Sequence, residues 1–135
     1  MRRIIFLIVI SLCLFSCKKS TKVEVELYKD GKVKYEKKFL YPNDTLNYTY
    51  TEYYNNGIIK DNYKVVNGNI HGRAIAYYQS GNIENISDYV CGKLHGLNLV
   101  YNDNKELVRE SLYLNNRQKI YLAYQKNKKD RKSVV

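Results

Sequence analysis

The chain predicts an all-β protein, an elongated and twisted antiparallel meander of stacked β-hairpins behind an apolar N-terminal leader. Three observations carry that expectation. The body repeats with a period of 24 residues, so that Asn67-Gly68-Asn69-Ile70-His71-Gly72 returns as Cys91-Gly92-Lys93-Leu94-His95-Gly96. Each repeat holds two turn signals, separated by runs rich in Tyr, Ile, Val, Leu and Thr. No segment after the leader spaces its apolar residues as a helix would.

In chain order, Met1-Arg2-Arg3 gives a positive start, Ile4 to Leu14 is nearly all apolar, and Ser16 precedes Cys17. That order is the layout of a signal peptide, and the apolar run falls short of the roughly 20 residues a spanning helix needs. Leu14-Phe15-Ser16-Cys17 resembles the lipobox of bacterial lipoproteins. The resemblance implies cleavage after Ser16, a diacylglyceryl group on the Cys17 thiol and, in many bacteria, acylation of the new N-terminus. Residues 1–16 are therefore expected to be a lipoprotein signal peptide and residues 17–27 a lipidated linker.

A repeat domain is expected over residues 28–125. Tyr53, Tyr77 and Tyr101 lie one period apart, as do Gly57, Gly81 and Lys105, and Ile59, Ile83 and Leu107; Tyr89 returns as Tyr113. A vaguer copy opens the array, with Tyr28-Lys29-Asp30-Gly31 resembling Tyr54-Asn55-Asn56-Gly57, and a fading one runs from Asn115 to Tyr124. One turn signal is Asn56-Gly57, Ser80-Gly81 or Asn104-Lys105, and the other is Asn67-Gly68 or Cys91-Gly92. Two strands per unit give about eight to ten in all. Gly68 and Gly92 are assigned to turns that need positive φ, and Gly72 and Gly96 to points of close approach. Residues 126–135 form a basic tail.

Tyr-x-x-x-Gly-x-Ile/Leu, followed by Gly-x-Ile/Leu-His-Gly and a further Tyr, resembles the MORN-repeat variant found in bacterial lipoproteins. The resemblance covers Tyr53 to Tyr124, with weaker reach back to Tyr28. It implies stacked hairpins in an elongated sheet. Some members of that family carry an antitoxin label, and others are docking or lipid-proximal scaffolds.

The net charge of +10 is uneven. Residues 17–42 carry eight Lys against four acids, residues 43–116 six basic against eight acidic residues, and residues 117–135 seven basic residues against Asp130. Basic ends flanking a near-neutral body argue against nucleic acid as a partner and suit a solvated terminus or an anionic membrane surface. Three cysteines build no disulfide framework, because Cys13 lies in the leader and Cys17 carries lipid, leaving Cys91 without a partner and expected to be buried.

Catalytic chemistry finds little support. His71 and His95 occupy equivalent positions roughly 9–10 Å apart, too far to share one zinc without both rings bending inward, and no Asp or Cys recurs beside them. Cys91 and His95 are separated by a turn, and no orienting acid accompanies them. No metal, no cofactor beyond the covalent lipid on Cys17 and no enzymatic activity are expected. Fifteen tyrosines and no tryptophan suit a thin sheet in which rings pack while hydroxyls reach water. Tyr53, Tyr77, Tyr89, Tyr101 and Tyr113 are expected to pack on one core face, and the off-register Tyr54 and Tyr78 to form a contact face on the other.

The function expected from these residues is a monomeric, membrane-anchored lipoprotein that acts as a non-catalytic protein-interaction module, of an immunity or antitoxin type. A glycan- or lipid-head-group-binding envelope lipoprotein is the alternative. Lys18 after Cys17 is not the Asp that retains lipoproteins at the inner membrane of enteric bacteria, which points to the outer membrane facing the periplasm.

Overall fold

A computed structural model describes residues 22–124. The expected signal peptide (1–16), the expected lipidation site Cys17 and the expected basic tail (126–135) lie outside the described residues. The described chain is all-β, with no helix, and forms one open sheet of ten antiparallel strands. They are β1 (Val23–Leu27), β2 (Val33–Phe39), β3 (Tyr48–Tyr53), β4 (Ile59–Val66), β5 (Asn69–Ile70), β6 (Gly72–Tyr77), β7 (Ile83–Val90), β8 (Lys93–Tyr101), β9 (Leu107–Leu114) and β10 (Arg117–Ala123). Nine follow one another across the sheet in chain order, and the short β5 pairs with β4 beside β6.

Strand β1 falls inside the span assigned to a linker, which is a correction of that boundary. Val23-Glu24-Val25-Glu26-Leu27 alternates with period 2 and pairs with β2 from Val23↔Lys38 to Leu27↔Val33. The strand carries no copy of the repeat motif, so the 24-residue period did not mark it.

The two rims of the sheet use different turns. On one, Tyr54 N donates to Ile58 O at 2.8 Å and Gly57 N to Tyr54 O at 2.8 Å, a three-residue loop closed by a left-handed residue. Tyr28, Tyr78 and Asn102 open identical loops, and the left-handed position is held by Gly31, Gly57, Gly81 and finally Lys105, at φ +66°. On the opposite rim, Asn67-Gly68, Cys91-Gly92 and Asn115-Asn116 form two-residue turns with both residues at positive φ. Cys91 thus occupies the exposed turn position that Asn67 holds one period earlier, and the expectation of a buried thiol is corrected.

Gly72 and Gly96 sit where the register slips just beyond these turns. Tyr89 pairs with Leu94, but Ser87 pairs with Asn98, so the His95-Gly96 side of the hairpin carries two extra residues. A Cβ on Gly96 would lie 2.9 Å from the Asp88 Cβ, so close approach holds there. It does not hold at Gly72, where nothing lies within 4 Å and only the positive φ explains the residue.

These slips divide the tyrosines between two faces, against the expectation of one core face. Following the cross-strand pairs, Tyr53, Tyr77 and Tyr101 fall on the same face as Ile75, Ile86 and Leu99. Tyr89 and Tyr113 fall on the other, with Tyr48, Tyr50 and Tyr63. The aromatic face holds the most buried positions: Phe39 and Val65 at its N-terminal end, then Ser87, Asn98 and Ser111 toward the C-terminal end. Only two apolar side chains are buried among the described residues. Each strand makes its main contacts with its hydrogen-bonded neighbours. Full burial is therefore a thin source of stability, and the links between successive hairpins add to it.

Candidate functional site

Those links recur with the repeat. The Tyr28 hydroxyl donates to Tyr53 O at 2.7 Å, Tyr54 to Tyr77 O at 2.7 Å, and Tyr78 to Tyr101 O at 2.8 Å. Each ring closes one loop and reaches the backbone where the next begins. Tyr54 and Tyr78, expected as a contact face, are instead half-buried ties between units. Their hydroxyls are engaged by the carbonyls of Tyr77 and Tyr101, one unit further along the chain. Burial raises the pKa of both phenols, so they stay neutral donors.

Shorter contacts brace the same rim. Lys32 Nζ donates to Asn55 O at 2.9 Å, Asn56 Nδ2 to Gln79 O at 3.1 Å and Asn82 Nδ2 to Asp103 O at 2.8 Å; Ser80 also bonds Asp103. On the other rim, Gly68 N, Gly92 N and Asn116 N donate to Leu46, Ile70 and Leu94 carbonyls, each at 2.9 Å. The tyrosine series stops at Asn102. Its amide turns back on its own loop, with Nδ2 on Glu106 Oε2 at 2.8 Å and Oδ1 accepting from Asn104 N and Glu106 N.

On the aromatic face, three rings run across β2, β3 and β4. Tyr50 stacks on Tyr63 with centroids 4.8 Å apart and on Tyr35 at 5.5 Å. Lys37 Nζ stands 5.5 Å from the Tyr48 ring centroid and 5.8 Å from that of Tyr35. Burial drives the Tyr50 pKa well above the usual phenol value, with Glu52 adding to the shift.

Beyond Tyr63 the face changes character. Ala74 and Ala76 on β6, Asn85 and Ser87 on β7 and Asn98 on β8 form the floor of an open trough of about 380 Å³. Asp61 and Glu84 border it on one side, Tyr89 and Leu94 on the other. Along the floor, Ser87 Oγ donates to Asn85 Oδ1 at 2.5 Å, and Asn98 Nδ2 donates to Ser87 Oγ at 2.8 Å. Ser111, paired with Asn98 on the next strand, is fully buried, and its hydroxyl makes no hydrogen bond among the described residues. Asp61 makes neither a hydrogen bond nor an ion pair among the described residues, and burial raises its carboxyl pKa. Sequence reading missed this trough, since it is made by register pairing Asp61 with Ala76 and Ala76 with Asn85.

The second face is aliphatic. Val25, Leu27, Ile59, Ile83, Leu97 and Ile120 lie on it with more than a third of their surface exposed. Around them Ile75, Ile86 and Leu99 are half-buried.

The histidines do not converge. His71 is exposed after β5, and His95 Nδ1 lies 3.1 Å from Asn115 Oδ1. Among the described residues no three His, Cys, Asp or Glu side chains come together as a metal site. No family model, no curated protein and no solved structure matches the chain.

Proposed function

We propose that the protein is a membrane-anchored lipoprotein, tethered through Cys17, that serves as a non-catalytic protein-interaction module. The observation that supports this reading is the aliphatic face. Exposed Ile59, Ile83, Leu97 and Ile120 stand on β4, β7, β8 and β10, all on one face of a sheet that ties its own hairpins together. Apolar side chains gathered on one face of a braced sheet are the usual mark of a surface that meets another protein. The resemblance to MORN-repeat lipoproteins supports an immunity- or antitoxin-type role for the module, with a toxin as the partner class, and the lipobox with Lys18 behind it supports a position at the outer membrane, facing the periplasm.

The test is capture from envelope extracts with the mature lipidated protein and with an Ile83→Lys/Leu97→Lys double variant. The wild type should retain a partner that the variant loses. Equal capture by both proteins, or none by either, contradicts the reading.

A further inference from the structure

The trough lies on the aromatic face, opposite the aliphatic face read above as a protein-binding surface. Asp61, Ala76 and Asn85 are direct cross-strand neighbours, so the carboxylate and the amide flank an alanine with backbones roughly 9–10 Å apart. Asp61 offers an acceptor with no donor of its own among the described residues. Asn85 is oriented the other way: its Oδ1 is engaged by Ser87 and Asn98, which leaves its NH2 to donate. Between them Ala76 and its strand neighbour Ala74 give a small apolar floor, and the Tyr89 ring borders the open side.

This pairing selects the chemistry. A cation would satisfy Asp61 and Glu84 but meet the donating amide of Asn85, and an anion would suit that amide but meet both carboxylates. A hydroxyl-bearing ring both donates and accepts, and presents C–H groups to an apolar floor. Without a donor the half-buried carboxylate stays undercompensated, which is the state a hydroxyl relieves. We propose that this trough binds a short neutral saccharide, with one sugar ring over Ala76, its hydroxyls bridging Asp61 and Asn85.

The experiment screens the mature protein, held in a zwitterionic detergent without sugar head groups, against an array of neutral and charged oligosaccharides, with tri-arginine as a cationic probe. Wild type, Asp61→Asn and Ala76→Phe are compared after circular dichroism shows that each is folded. Asp61→Asn keeps the shape and removes the charge, whereas Ala76→Phe fills the floor. At least one neutral glycan should bind, and both variants should weaken it tenfold or more. The Ile83→Lys/Leu97→Lys protein should bind it unchanged, so this site and the protein-binding face fail or survive separately. Binding to no neutral glycan, a loss below tenfold in either variant, or a stronger response to tri-arginine overturns the proposal.

Discussion

The hydroxyl of Tyr54 donates to the carbonyl of Tyr77 at 2.7 Å, fastening one hairpin to the next across 23 residues of chain. Tyr78 repeats the bond on Tyr101, and Tyr28 makes it on Tyr53. A sheet with two buried apolar side chains among its described residues depends on such ties. Tyr54→Phe and Tyr78→Phe should each lower stability by about 1 kcal/mol, because each removes one hydrogen bond between successive hairpins. Urea denaturation followed by circular dichroism measures the loss. Surface contact residues would instead shift stability by less than about 0.5 kcal/mol.

Lys105 holds the loop position that Gly31, Gly57 and Gly81 hold in the other units, at φ +66°. A side chain there pays a steric cost that glycine escapes. Lys105→Gly should raise stability by about 1 kcal/mol, and Gly81→Lys should lower it by a similar amount. Thermal melting of the two variants checks the sign of each.

Gly96 and Gly72 are equivalent in sequence but not in surroundings. Alanine at Gly96 meets the Asp88 Cβ as well as φ +120°, whereas alanine at Gly72 meets only an unfavourable φ of +82°. Gly96→Ala should cost roughly 2–3 kcal/mol and Gly72→Ala about 1 kcal/mol. Equal losses in a denaturation series would show that the approach to Asp88 carries no weight.

The Asp61 carboxyl has its pKa raised above the ordinary 3.8, chiefly by burial; Glu52 adds to the rise and Lys60 opposes it. The folded state therefore holds this proton to higher pH than the unfolded chain does. The contribution of the group is most favourable below the unfolded pKa and is lost as pH rises through the folded one. Asp61→Asn should stabilise the protein at pH 7 and give little change at pH 3. Asp44 has the opposite sign: hydrogen bonds from Leu46 N and the Asn47 side chain lower its pKa, so Asp44→Asn should destabilise at pH 7 and not at low pH. Paired melts at the two pH values read both slopes.

Ser111 is buried, and its hydroxyl has no partner among the described residues. Ser111→Ala removes a buried polar group that nothing among the described residues satisfies, and should stabilise the fold by about 1 kcal/mol. A loss of stability in the same melts would mean that the hydroxyl has a hydrogen-bonding role in the folded protein.

The turns were legible in the sequence because left-handed backbone leaves a chemical trace: Gly or Asn at a fixed offset, repeated every 24 residues. Even the exposure of Cys91 was there to read, since the period places it on Asn67. Other features leave no such trace. The partner of the Tyr54 hydroxyl is a backbone carbonyl, which any residue supplies, so no motif marks Tyr77 as an acceptor. The register slips at Ala76/Tyr77 and Ser87/Tyr89 decide which face each tyrosine joins, and strict alternation along a strand cannot reveal a slip. The trough depends on the same pairings, which join Asp61, Ala76 and Asn85 across three strands.

The proposed tether through Cys17 is tested most directly by mass spectrometry of the protein purified from fractionated cells. The expected result is a membrane-fraction protein whose N-terminal peptide begins at Cys17 and carries a diacylglyceryl group. A soluble protein that still begins with Met1 and keeps an unmodified Cys17 would contradict it.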